Sequence, residues 1–152
     1  MTKRIDPSSI SAIVGTRYPK PHDEPCRLRE RKALGDIAGL TQFGVNLLRI
    51  PPGAWSSQRH WHTQEDEFVY VVAGEVVLVT DDGEETLVAG ECAGFKAGDQ
   101  SGHHLQNRSA SDAVVLEVGS RDASDATFYS DIDLRIDPDS GRYVRRDGST
   151  IE

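Results

Sequence analysis

Cysteine is scarce in this 152-residue sequence, which has only Cys26 and Cys92. The two lie far apart in the chain, and no CxxC pair occurs. Small domains that depend on disulfides have several pairs of more closely spaced cysteines, so a disulfide framework is excluded. We expect both thiols to be free, as small buried hydrophobes, in a reducing cytoplasmic compartment.

Long apolar runs and an excess of positive charge are also missing. The start, MTKRIDPSSI, has no apolar signal core, and no run approaches the roughly 20 residues of a membrane helix. The chain has 17 Lys and Arg against 25 Asp and Glu, which gives a formal net charge of −8. Nucleic acids and anionic membranes attract basic surfaces, so we expect neither as a partner.

The middle of the chain is dense in β-forming residues. Strand-like runs recur there at the roughly 8–12-residue spacing that is typical of all-β folds. Turn signals separate them, for example Pro51-Pro52-Gly53 and the Asp82-Gly83 hairpin signal. No helical period of useful length interrupts the runs, so the pattern predicts an antiparallel barrel or sandwich.

The length indicates one domain, because single domains cluster near ~100–150 residues. We predict an N-terminal arm at residues 1–39, a barrel at 40–119 and a C-terminal extension at 120–152. The extension is polar with scattered aromatic residues, and it either packs on the barrel or covers a partner subunit, or remains a solvated tail.

The segment RHWHTQEDEFVYVVAGE carries the chemistry of this sequence. Side chains alternate across a strand, so His60 and His62 share one face and can converge on one point. Glu67 opens the next strand, and pairing across the short gap would bring it beside the two imidazoles. Ser56 and Gln58 share the inward face and are predicted to line a pocket and contact a bound ligand.

A further ligand is expected from KAGDQSGHHLQN, which supplies His103 and His104. Neighbouring residues on a strand point to opposite faces, so only one of the two can face the pocket. Alternation alone leaves that choice open.

The spacing of these residues resembles the two motifs of the cupin superfamily. The first motif reads Gly, five residues, His, one residue, His, three or four residues, Glu, six residues, Gly. This sequence has Gly53, His60, His62, Glu67 and Gly74, and only its first gap departs, by one extra residue.

The second cupin motif reads Gly, five residues, Pro, one residue, Gly, two residues, His, three residues, Asn. This sequence has Gly90, Lys96 in place of the proline, Gly98, His103 and Asn107, with two extra residues before the histidine. The spacing from histidine to asparagine favours His103 over His104 as the ligand.

The resemblance covers residues 40–119 and implies an all-β fold, the cupin double-stranded β-helix or jelly-roll barrel, with N- and C-terminal arms. It implies a divalent metal near the barrel centre held by four ligands: His60, His62, Glu67 and His103. Nitrogen and oxygen donors without sulfur suit Zn, Ni, Fe(II), Mn or Co. Arms commonly exchange between subunits in this superfamily, so a homodimer is also implied.

Within the superfamily the chain resembles small single-domain proteins described as sugar or sugar-phosphate isomerases. A metal with open positions can polarise a carbonyl, which suits isomerisation or epimerisation of a small-molecule substrate. The same ligand set also allows an Fe(II)-dependent dioxygenase, and cupins serve as non-catalytic small-molecule sensors. No residue stands out in the sequence as a catalytic base.

Overall fold

The computed structural model describes residues 3–151, and strands dominate this part of the chain. It has one short helix, α1 (Leu34–Ala38), and two single 3-10 turns at Pro7–Ser9 and Glu24–Cys26. The strands are β1 (Ile13–Val14), β2 (Glu30–Ala33), β3 (Phe43–Ile50), β4 (His60–His62), β5 (Glu67–Ala73), β6 (Glu75–Thr80), β7 (Gly83–Val88), β8 (Cys92–Phe95), β9 (His104–Gln106), β10 (Ala113–Ser120), β11 (Thr127–Tyr129), β12 (Arg135–Ile136) and β13 (Tyr143–Val144). The predicted all-β class is confirmed.

Three antiparallel sheets organise these strands. The largest has the order β1-β2-β3-β10-β5-β8, and a three-stranded sheet has the order β7-β6-β9. A third sheet, β13-β12-β11-β4, joins the C-terminal extension to the strand that carries the two histidines. Within residues 3–151, no helix has the length and apolarity that a membrane crossing requires.

The main core lies between the six-stranded and the three-stranded sheet. Strands β3, β5 and β10 contribute inward side chains from one side, and β6, β7 and β9 contribute from the other. Its buried members are Leu48, Ile50, Ala54, Val69, Val71, Val76, Leu78, Leu87, Leu105, Ala113 and Val115. Burying these apolar side chains removes their surface from water, and that burial is the main force that holds the two sheets together.

A second, smaller core joins the two ends of the chain. Tyr18 packs edge-on against Tyr129, with ring centroids 5.4 Å apart, and Leu134 completes the contact. Cys26 is fully buried there, and burial raises the pKa of its thiol to about 11. Cys92, by contrast, is exposed at the start of β8, so its predicted burial was wrong.

Both predicted arms therefore take part in sheets. The N-terminal residues supply β1 and β2, and β2 pairs with β3 along the edge of the six-stranded sheet. The C-terminal extension supplies β11, which pairs with β4 in the register Thr127–His62 and Tyr129–His60. This pairing places the extension directly beside the strand that carries the two histidines.

Gly74 is the corner at which the chain leaves the six-stranded sheet for the three-stranded one. Its φ is 76°, a left-handed conformation that side chains disfavour. A Cβ at this position would lie 2.6 Å from the carbonyl oxygen of Asp112. Glycine is thus needed here both for its backbone conformation and for the close approach of β10.

We expect Gly74→Ala to destabilise the fold strongly, and Gly53→Ala serves as the matched control. Gly53 also has a positive φ, 83°, but within residues 3–151 no atom beyond Gly53 and its two chain neighbours lies within 4 Å of a Cβ added there. The control should cost about 1–2 kcal/mol, from backbone strain alone. Gly74→Ala should cost a further 1–3 kcal/mol or so through the clash, measured by urea unfolding. Equal losses in the two variants would contradict this account.

Candidate metal centre

Two distant parts of the chain bring the histidines together. His60 and His62 lie on the short strand β4, while His103 immediately precedes β9. The backbones of His60 and His103 pair directly, because the amide of each donates to the carbonyl of the other, at 3.2 and 2.9 Å. This bridge places the His103 side chain next to the pair on β4.

Glu67 lies at the centre of these three imidazoles. Its Oε2 is 2.6 Å from His103 Nε2 and 3.4 Å from His60 Nε2, and its Oε1 is 3.4 Å from His62 Nε2. The potential ligand atoms of His60, His62 and Glu67 all lie within 4.8 Å of one another. Three Nε2 atoms thus converge on one carboxylate in the interior of the protein.

The contacts made at Nδ1 determine how the rings of these histidines orient their Nε2 atoms. His60 Nδ1 lies 2.8 Å from the carbonyl oxygen of Gln58, and His62 Nδ1 lies 2.7 Å from Oδ2 of Asp125. A proton on Nδ1 satisfies both contacts and leaves Nε2 free as an acceptor or a metal ligand. Among residues 3–151, the buried Nδ1 of His103 finds no hydrogen-bond partner.

This donor set fits a divalent transition metal. Three imidazole nitrogens and one carboxylate oxygen, without sulfur, suit Zn, Ni, Fe(II) or Mn. Two of the imidazoles already have their Nε2 atoms oriented toward the shared centre by contacts at Nδ1. The cluster is therefore compatible with a divalent metal, and the residues that would hold it are His60, His62, Glu67 and His103.

Charge in the cluster is balanced internally. Burial alone would raise the pKa of Glu67, but nearby His60 and the hydrogen bond from His103 outweigh burial and hold the pKa well below its usual range. Burial alone would lower the pKa of His62, but contacts with Glu67 and Asp125 raise it to about 9. Both shifts arise because the carboxylate and the imidazoles face each other, and a bound cation would compete with protons for the same Glu67 and His62 atoms.

His104 points away from the cluster. Its Nδ1 lies 2.9 Å from the carbonyl oxygen of Ser57, and its ring packs edge-on against Trp55 at 4.7 Å. Burial lowers its pKa to about 4. Of the two adjacent histidines, the structure brings only His103 to Glu67, as the alternation of side chains along a strand requires.

The predicted pocket-lining role of Ser56 and Gln58 does not fit their positions. Ser56 Oγ accepts a hydrogen bond from the amide of Leu105 at 2.9 Å, which ties the chain before β4 to β9. Gln58 Nε2 donates to the carbonyl oxygen of His22 at 2.8 Å. Both side chains are buried in these structural contacts, and neither lines the cavity described next.

A cavity of about 630 Å³ opens onto the cluster. His62, Glu67 and His103 form part of its lining, and Phe95 stacks flat on the His103 ring with centroids 3.6 Å apart. Its walls come from β6, β7, β8 and the loop before His103. Its charged lining residues besides the cluster are Glu65, Asp82, Glu84, Glu85, Lys96 and Asp99.

A partly buried carboxylate inside the barrel was missed by sequence reasoning. Glu117 lies on β10 in register with Val69, on the same inward face as Val115, and Gly119 lies opposite Glu67. Asn46 Nδ2 donates to Glu117 Oε1 at 3.2 Å, and burial raises the pKa of Glu117. Its signal in the sequence was a single acid at an inward position of the apolar run AVVLEVG.

Comparison with known proteins agrees with the all-β fold described above. The family model described as "Cupin domain" matches residues 46–119. The chain is similar to the crystal structure of a sugar phosphate isomerase of the cupin superfamily from Silicibacter pomeroyi, with 43% identity and a TM-score of 0.92 over 99% of this chain and 97% of that one. A search of curated protein sequences gives no match.

Two other structures are more distant. A proposed sugar phosphate isomerase from Acidithiobacillus ferrooxidans has 30% identity and a TM-score of 0.73, over 82% of this chain and 80% of that one. The polyketide cyclase RemF from Streptomyces resistomycificus has 20% identity and a TM-score of 0.64 over 79% and 80%, and shows a shared fold alone. The family resemblance and the jelly-roll barrel predicted from the sequence are confirmed.

Proposed function

This chain belongs to the cupin superfamily, and on that premise we propose that it is a divalent-metal-dependent isomerase or epimerase of a small sugar or sugar phosphate. The observation that carries the proposal is the convergence of three histidine Nε2 atoms on Glu67 at the wall of the 630 Å³ cavity. A bound divalent ion would polarise the substrate's carbonyl as a Lewis acid.

The size of the cavity and the relatives support a sugar-sized substrate. Small-molecule pockets usually measure about 300–1,000 Å³, and the cavity falls in that range. The two similar structures at 43% and 30% identity are described as a sugar phosphate isomerase and a proposed one. Polar and aromatic walls beside a metal centre suit a hydroxylated ligand.

Charge in the cavity favours an uncharged sugar over its phosphate. Six of the described lining residues are acidic, counting Glu67, and Lys96 is the only Lys or Arg among them. Arg108 lies close to this wall, but both of its terminal nitrogens bond Glu84, at 2.7 and 2.8 Å. Even with a divalent ion bound, the six acids outweigh the ion and Lys96, so a phosphate dianion would meet a net negative lining and a neutral sugar would not be repelled.

We propose Glu117 as the proton carrier, acting beside the cluster, since it is not part of the cavity lining itself. It lies inside the barrel on the face shared with Glu67, and unlike Glu67 it is not among the proposed metal ligands. Its raised pKa brings it closer to the value at which a carboxylic acid both gives and takes a proton near neutral pH. Asn46 holds its orientation.

The proposal predicts metal-dependent aldose–ketose interconversion, observed by NMR. Protein stripped of metal and reloaded with Zn, Ni, Fe(II) or Mn is offered unphosphorylated sugars and their phosphates. We expect turnover with at least one metal and none after stripping. The specificity constant kcat/KM should be about tenfold or more higher for the neutral sugar. Glu117→Gln should lower kcat by roughly 10²–10⁴ with the metal content unchanged.

Glu75→Gln is the matched control, because Glu75 is an exposed acid outside the cavity lining and we expect little change in kcat. Absence of interconversion with every metal and sugar would rule the isomerase out. Oxygen uptake by the Fe(II)-loaded protein would instead favour a dioxygenase. A sugar that raises the unfolding temperature without being converted would favour a sensor.

We also propose a homodimer that works in the cytoplasm. Two free cysteines, one of them exposed, support a reducing compartment. The support for a dimer is an apolar outer face on the six-stranded sheet, where Phe68, Tyr70 and Val72 are exposed.

A further inference from the structure

The C-terminal extension contacts the metal cluster through one carboxylate. Asp125 Oδ2 lies 2.7 Å from His62 Nδ1, and the Asp125 side chain is only 8% exposed. Two other groups approach the same nitrogen, Thr127 Oγ1 at 3.2 Å and Glu65 Oε2 at 3.7 Å. Asp125 is the closest of the three. On the opposite side of the ring, His62 Nε2 faces Glu67 at 3.4 Å.

Asp125 is itself held in place by the chain around β4. Its second oxygen, Oδ1, accepts a hydrogen bond from the amide of Gln64 at 2.8 Å. The neighbouring residue Ala126 exchanges two bonds with Thr63: its amide donates to Thr63 Oγ1 at 2.9 Å, and its carbonyl accepts from the Thr63 amide at 3.0 Å. The carboxylate therefore meets His62 from a fixed position.

This contact differs from those of the other two histidines. His60 Nδ1 bonds a backbone carbonyl within its own segment, and His103 Nδ1 has no partner among residues 3–151. Of the three, only His62 has a carboxylate on Nδ1, and that carboxylate comes from 63 residues further along the chain. It also lies outside residues 46–119, the region that matches the family model.

A carboxylate on the far nitrogen of an imidazole orients the ring and keeps the proton on that nitrogen. The lone pair of the other nitrogen is then free to coordinate a metal. Losing the carboxylate partner of a metal-bound imidazole typically costs 10–100-fold in metal affinity. We propose that Asp125 is a positioning residue for His62, through which the C-terminal extension sets the affinity of the site for a divalent cation. This inference rests on the proposed metal site.

The test measures the Zn²⁺ dissociation constant of the metal-stripped full chain by competition with a chromogenic chelator. We expect Asp125→Asn to weaken Zn²⁺ binding roughly 10–100-fold, because the amide keeps the shape but loses the charge. Asp122→Asn is the matched control, since Asp122 is an exposed acid of the same extension that bonds only Ser124 through its side chain. It should bind Zn²⁺ within about twofold of the wild type.

A purely structural role would change folding rather than affinity, so the thermal unfolding of each metal-free variant is measured alongside. Asp125→Glu keeps a carboxylate and should recover most of the affinity lost in Asp125→Asn. The inference is overturned if Asp125→Asn folds and binds Zn²⁺ within twofold of the wild type, or if Asp125→Glu binds no better than Asp125→Asn. A wild type that binds no Zn²⁺, Ni²⁺, Fe²⁺ or Mn²⁺ would overturn the metal site itself, and the proposed function with it.

Discussion

The double variant His60→Ala/His62→Ala is expected to lose its metal, from about one ion per chain to background. Both Nε2 atoms face Glu67 at 3.4 Å, so the double variant removes two of the three imidazoles that contact this carboxylate. His103 and Glu67 alone would leave a two-ligand site, which is too few for the four-ligand coordination typical of tight sites. Mass-spectrometric metal analysis, after purification without an affinity-tag metal, measures the loss.

His104→Asn is the control for this experiment. His104 is buried close to the cluster, but its ring nitrogen contacts the carbonyl oxygen of Ser57 rather than Glu67. An asparagine amide can still donate to that carbonyl, so the variant should fold and retain its metal. Metal retained in the double variant, or lost in His104→Asn, would refute the assigned ligand set.

The wild-type chain is expected to behave as a dimer in light scattering, and Tyr70→Glu as a monomer. On β5 the inward Val69 and Val71 are buried, but the outward Phe68, Tyr70 and Val72 are apolar too, with 40–49% of their surface exposed. An antiparallel sheet with one face in water normally carries polar residues on that face. The apolar outer face therefore indicates a covering partner, and a second copy of the chain is the occupant we propose.

Neighbouring strands extend this apolar outer face. Leu116 on β10 lies in register between Tyr70 and Leu47 of β3, so a charge at Tyr70 would fall in the middle of the contact. Val88→Glu is the control, because Val88 is similarly exposed, at 44%, but belongs to the other sheet. A monomeric wild type, or a Tyr70→Glu protein that remains dimeric, would contradict the proposed dimer through this face.

Much of the fold followed from local pattern. The strand that begins at Glu67, β5, and the hairpin at Asp82-Gly83 between β6 and β7 both appear in the structure at their expected places. These features depend on neighbours in the chain, which is why they are readable without a structure. The strands of the N-terminal residues and of the extension were not predicted, because their short runs acquire partners only in the folded chain.

In the candidate site, too, local pattern predicted some features and tertiary contacts determined the others. Ser56 and Gln58 share the predicted face with the histidines, yet they bond Leu105 and His22. Alternation along a strand predicts which face a side chain points to, but it does not predict which residues the side chain contacts there. Glu117 was readable as an acid in an apolar strand, but its nearness to the cluster follows from the pairing of β10 with β5.

By itself, the sequence determined the family, the all-β class and the local grouping of His60, His62 and Glu67. Short-range spacing and the two-residue period of a strand suffice for these, since all three residues lie within eight positions of one another. The motif spacing had favoured His103 over His104, but only the tertiary structure brings the His103 ring to Glu67 and Asp125 to His62. Those contacts join segments 36 and 63 residues apart, and strand register determines them.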